Sequence, residues 1–147
     1  MSVGSLDDEA LASYREAGEI LAEVLAEGAE LMEPGVTHLS VAEHVEARIR
    51  ELGGRPAFPV NISVDEEASH ATPGRDDETT FGEEMVCLDV GVHVDGYIAD
   101  AATTVDFTGS DDLVEASEQA LAAALDVVAD GVEAGEVGQV IEEVIRG

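Results

Sequence analysis

Apolar positions recur at helical spacing twice before any strand signal appears. Leu11, Tyr14, Leu21, Val24 and Leu25 form the first series, opened by Ser5, Asp7 and Asp8 as a helix start and closed by Pro34-Gly35. Val41, Val45, Ile49 and Leu52 form the second, with Ser40 and Glu43 as a capping box and Gly53-Gly54 as its stop. The spacing predicts two amphipathic helices. The composition then changes: PAFPVNIS, from Pro56 to Ser63, is short, Pro-punctuated and β-prone, and GRDDETTFGEE reads as a polar loop.

Between Met85 and Val105 the period becomes two on both sides of Asp95-Gly96. That pair favours a two-residue type I′ turn, because both positions need positive φ, and it predicts a β-hairpin. The register follows: Val94 opposes Tyr97, His93 opposes Ile98, Gly91 opposes Asp100 and Asp89 opposes Ala102. One face then carries Val86, Leu88, Val90, Val92 and Val94 with Tyr97, Ala99, Ala101 and Val105, and should pack on the helices. The other carries Cys87, Asp89, Gly91 and His93 with Ile98, Asp100, Ala102 and Thr104. Ser110 then caps a helix bearing Leu113, Leu121, Leu125 and Val128, and Val137, Val140, Ile141, Val144 and Ile145 mark a last one. The order α-α-β-β-β-α-α predicts an α+β fold, helices on one face of a small antiparallel sheet, in one domain spanning 1–147. The last apolar stripe runs into Gly147 with no following element to bury it, so a truncated chain or an obligate partner is expected.

Charge changes the picture. The chain has 147 residues, with 34 Asp and Glu against six basic residues, all Arg, for a formal charge of −28. The acids are spread between apolar positions, and 45% of residues are hydrophobic, which argues for a folded domain and against disorder. Such a surface repels itself in dilute buffer and is tolerable where molar salt cuts the screening length to about 3 Å, so a salt-adapted cytoplasm is expected. Nucleic acid and anionic membrane are disfavoured as partners, both being polyanions. The lone Cys87 excludes an internal disulfide, and no run approaches the roughly 20 apolar residues of a membrane span.

Asp is depleted in strand interiors, yet the predicted register puts Asp89 and Asp100 on one face as diagonal neighbours, Cα atoms roughly 7–8 Å apart. Two such carboxylates can converge on one cation, and Gly91 opposite Asp100 would leave space for it. Mn, Fe, Co and Zn are the candidates, and spacing does not choose among them. The plain alternative is that an acidic protein scatters Asp widely and this face is merely solvated. His70, in the loop SHATPG, either contacts a substrate near the metal or is an ordinary surface residue; spacing alone favours the surface. His38 and His44 are expected at the surface, His93 near the turn, Asp95 as a turn former and Cys87 as inert packing.

FPVNISVDEEASHATPG followed by LDVGVHVDGYIADAATTV resembles the type II methionine aminopeptidases of archaea, over essentially the whole chain. The resemblance implies the N-terminal half of a pita-bread fold, two pseudo-symmetric halves around a two-metal site that removes the initiator methionine from nascent polypeptides. It implies that Asp100 bridges both ions, that Asp89 binds one and that His70 contacts substrate. The family's other ligands, one His and two Glu, belong to its C-terminal half and have no counterpart here, so weak metal binding and little or no peptidase activity are expected of this chain alone. The other readings are a proline-specific aminopeptidase relative and a non-catalytic pita-bread module that binds other proteins.

Overall fold

The computed structural model describes residues 6–67, 70–110 and 112–147. The chain divides into two compact units, Met1–Thr108 and Gly109–Gly147. The first holds helices α1 (Asp8–Leu31) and α2 (His38–Glu51) and strands β1 (Arg55–Pro56), β2 (Asn61–Val64), β3 (Met85–Val94) and β4 (Tyr97–Asp106). The second holds α3 (Asp112–Val127) and α4 (Ala134–Arg146), which pack on each other.

The hairpin forms as its sequence requires. Asp95 and Gly96 both take positive φ, 51° and 90°, and the ten pairs run from Val94 with Tyr97 to Met85 with Asp106, including Gly91 with Asp100 and Asp89 with Ala102. β3 is the central strand: β4 lines one edge, while β1 and β2 follow each other along the other, all antiparallel. The single strand expected over PAFPVNIS is therefore two. Pro59 has no N–H to give a ladder, and the interval is held by one bond, from the Ala57 N–H to the Gly91 carbonyl at 2.8 Å.

The core lies between this sheet and the two helices. Val86, Leu88, Val90 and Val92 are fully buried against Ala17, Ile20, Leu21 and Val24 of α1 and Val41, Val45 and Ile49 of α2. Small residues let α1 approach: a Cβ on Gly28 would meet Leu88 and Val45 side chains, each at 2.8 Å. The buried seam of α1 is thus Ala10, Ala17, Ile20, Leu21, Val24 and Gly28, while Leu11 and Tyr14 stay partly exposed and Tyr14 lies edge-on to Tyr97 at 5.1 Å.

Of the first two helix starts, only that of α2 differs from expectation. Ser5 lies outside the described residues, and the N-cap of α1 is Asp7, accepting from the Ala10 N–H at 2.8 Å. The cap of α2 is Thr37 in place of Ser40: Thr37 Oγ1 accepts from the Ser40 N–H, and Ser40 Oγ donates back to the Thr37 carbonyl at 2.8 Å. Residues 35–38 pair with 79–81, through Gly35 to Phe81, Phe81 to Val36 and His38 to Thr79, and this starts α2 one turn early. The same pairing corrects the place of His38, which is only 6% exposed, its ring 4.4 Å from that of Phe81 and its Nε2 without a hydrogen-bond partner among the described residues. The C-terminus of α2 closes as read, with Gly53 at φ 96° and N–H bonds from Gly53 to Arg50 and from Gly54 to Ile49.

In the second unit, Leu113, Leu121, Leu125 and Val128 of the α3 stripe are all exposed by more than half; Ala120 and Ala124 are the buried positions. α3 is described from Asp112 onward, and Asp111, between it and Ser110, lies outside the described residues. No described helix is long and apolar enough to cross a membrane.

Candidate metal centre

The hairpin register fixes which side chains share the open face of the sheet. Along β4 the alternation is plain: Ile98, Asp100 and Ala102 are exposed, while Ala99 and Ala101 pack on the core. Asp89 and Asp100 emerge on that open face, and Asn61 of β2 opposes Asp89 on it.

A cleft of about 530 Å³ opens there, lined by Phe58, Asn61, His70, Thr72, Asp89 and Asp100. All three residues singled out in the sequence, His70, Asp89 and Asp100, thus border one hollow. Among the other candidates, His44 is exposed and faces Glu27 at 3.7 Å. His93 Nδ1 accepts from the Gly96 N–H at 3.2 Å, back at the turn, and His93 lies outside the cleft lining. Cys87 is half-buried; desolvation and the charge of Asp89 push its thiol up despite a hydrogen bond with Thr104, which suits a packing role and not a nucleophile.

The two carboxyls meet. Desolvation raises Asp100 above the usual carboxylate range, and the charge of Asp89 and a hydrogen bond shared with it add to the rise. Two carboxylates this close repel each other, and a hard divalent cation, for which oxygen ligands are suited, would relieve that repulsion. Among the described residues no group of three or more His, Cys, Asp or Glu is placed to hold a metal ion.

Gly91 does something other than make room for an ion. A Cβ there would run into the ring of Phe58; the space above the glycine is taken by that ring, which becomes the apolar wall of the cleft. Phe58 and Asn61 were not singled out as site residues in the sequence. A Phe between two Pro-flanked positions carries no polar signal, and an Asn in a four-residue strand declares itself only when its partner in the register is known to be Asp89.

The His70 segment also borders the cleft, through His70 and Thr72. His70 takes a positive φ of 65°, uncommon for a side chain with a Cβ, and the chain beyond it runs beside β2, with the Ile62 N–H donating to the Ala71 carbonyl at 2.7 Å and Thr72 Oγ1 donating to Asn61 Oδ1 at 2.7 Å.

Comparison with known proteins places this geometry. Residues 12–147 match metallopeptidase family M24. A methionine aminopeptidase of Archaeoglobus fulgidus is 52% identical over 141 residues, covering 95% of this chain and 48% of the relative. One from Methanothermus fervidus is 38% identical, covering 90% of this chain and 79% of that relative. Among solved structures, the methionine aminopeptidase of Thermotoga maritima superposes with a TM-score of 0.87 at 25% identity, over 96% of this chain and 61% of that one. A prolidase from Pyrococcus furiosus gives 0.83 at 21% identity, over 95% and 43%, a likeness of fold alone. The chain spans about half the length of the Archaeoglobus relative.

Proposed function

The chain belongs to metallopeptidase family M24, whose members use divalent metals, and from that premise we propose that it supplies half of the active site of a methionine aminopeptidase acting on the N-termini of nascent polypeptides. The observation that carries the reading is the convergence of Asp89, Asp100 and His70 on one cleft. The methionine enzymes are favoured over the proline-specific ones because sequence identity reaches 52% with the former, whereas the prolidase shares the fold at 21%.

In this reading Asp89 and Asp100 would hold divalent metal, with Mn, Fe, Co or Zn as the candidates. When bound, the metal lowers the pKa of the attacking water and polarises the scissile carbonyl. The chain's own part is to bind and orient. Phe58 offers an apolar wall to an unbranched, polarisable methionine side chain, and His70 donates a hydrogen bond to the substrate's amide region, which aligns the bond to be cut. A general base and three further ligands, a His and two Glu, complete such a site, and the described residues do not assemble them beside the Asp pair. This chain alone therefore binds metal weakly and turns over little. The dense acidic surface suits a salt-rich cytoplasm.

A chimera tests this. This chain replaces the matching first half of the Archaeoglobus fulgidus relative, and release of methionine from a Met-Ala-Ser peptide is followed with added Mn or Co in molar KCl. Turnover that is lost in Asp89→Asn and Asp100→Asn is expected. A folded chimera that binds metal and leaves the methionine in place would sink the reading.

A further inference from the structure

Asn61 joins two parts of the cleft that are remote in sequence. It is 6% exposed, and its amide is used at both ends: Nδ2 donates to Asp89 Oδ2 at 3.4 Å, and Oδ1 accepts from Thr72 Oγ1 at 2.7 Å. The polarity admits few substitutes. An ionised carboxylate only accepts, so its partner must donate, and the hydroxyl that gives its proton to Asn61 needs an acceptor. Aspartate at 61 would set a second charge against Asp89, and an apolar residue would leave both partners without the group that Asn61, itself buried, now offers them.

Thr72 lies two residues beyond His70, and the Ala71 N–H donates to Ser63 Oγ at 3.3 Å, so the His70 segment hangs on β2 by few bonds. The link to Thr72 is short and that to Asp89 is long for an amide hydrogen bond. Fixing the Asp89 carboxylate therefore leaves room for the long link to tighten, with Thr72 following.

We propose that Asn61 is a positioning residue that couples cation binding at Asp89 to the placement of the His70 segment. The proposal rests on the reading of Asp89 and Asp100 as metal ligands. Coupling is reciprocal: a cation steadies the segment, and a steadied segment strengthens the hold on the cation.

The 147-residue chain is titrated with Mn²⁺ in molar KCl, affinity being read by electron paramagnetic resonance. Amide hydrogen exchange over residues 70–73 is measured with and without Mn²⁺, and circular dichroism checks the fold. In the wild type Mn²⁺ slows exchange of the segment. Asn61→Ala weakens Mn²⁺ binding roughly tenfold, as expected for a residue that orients a ligand, and removes the slowing. Should Asn61→Ala not fold, Thr72→Val carries the test: it abolishes the Mn²⁺-dependent slowing, and Thr72→Ser restores it. Mn²⁺-dependent slowing that survives in Thr72→Val, while Asp89→Asn loses Mn²⁺ binding, overturns the coupling and leaves the metal reading standing. Mn²⁺ binding unchanged in Asp89→Asn overturns both.

Discussion

The ring of Phe58 lies over the α-carbon of Gly91, on the strand position directly opposite Asp100. This contact couples backbone to cleft, since the glycine is needed not for its φ but for the closeness of an aromatic ring. Gly91→Ala is expected to drive the ring off the sheet and to lower stability by about 1–3 kcal/mol, as overpacking does. Urea unfolding followed by circular dichroism measures it. A variant as stable as wild type would mean that Phe58 moves freely and is no fixed wall.

The Asp89–Asp100 pair predicts a trade of stability for binding. Asp100 ionises less readily in the folded chain than the ordinary value of 3.8, so its ionisation opposes folding. That penalty is absent well below the ordinary value and grows as pH rises through the raised one. In chelator at pH 7, Asp100→Asn should be slightly more stable than wild type, by about 0.5 kcal/mol given screening at a solvent-exposed carboxyl, and the gain should vanish near pH 3. The same variant should lose Mn²⁺ binding. Melting curves with and without Mn²⁺ read both effects; a variant less stable at pH 7 would contradict the assignment of strain to this pair.

How much of this was legible in the sequence follows from the range of the interactions. The hairpin register could be read pair by pair because Asp95-Gly96 sets the turn and a period of two then assigns every face. Asp89 and Asp100 came with it. Contacts made across the fold were hidden. His38 looks like a surface residue on a helix approach until residues 79–81 pair with 35–38 and cover it. Phe58 over Gly91 and Asn61 between Thr72 and Asp89 likewise depend on how β1 and β2 divide one edge of β3. The α3 stripe shows the converse: Leu113, Leu121 and Leu125 keep helical spacing and remain exposed, because periodicity records a face and not what covers it.

The start of α2 offers a local test. Ser40 with Glu43 matched a capping box by spacing, yet Thr37 takes the cap because its own segment is pinned to residues 79–81. Thr37→Ala should lower stability by about 1 kcal/mol, whereas Glu43→Ala, remote from any cap bond, should change it by less than about 0.5 kcal/mol. Chemical denaturation of the two variants side by side decides between the caps, and equal losses would return the cap to Ser40.

The strongest expectation from composition concerns salt. With 34 acids and six arginines, few carboxylates find a cation; Arg48 alone serves Glu23, Glu27 and Glu51. The remainder repel over a screening length of about 10 Å at 0.1 M salt and about 3 Å at 1 M. The melting temperature should therefore climb by on the order of 10 °C between those conditions, about 2 kcal/mol for a unit of this size. Screening and salting-out differ in form. Screening saturates once its length falls below the spacing of neighbouring charges, while salting-out keeps growing with concentration. A melting temperature that rises steeply below about 1 M KCl and then flattens identifies self-repulsion as the cause, and one that is flat from 0.1 M upward would show that the acidic surface carries no such strain.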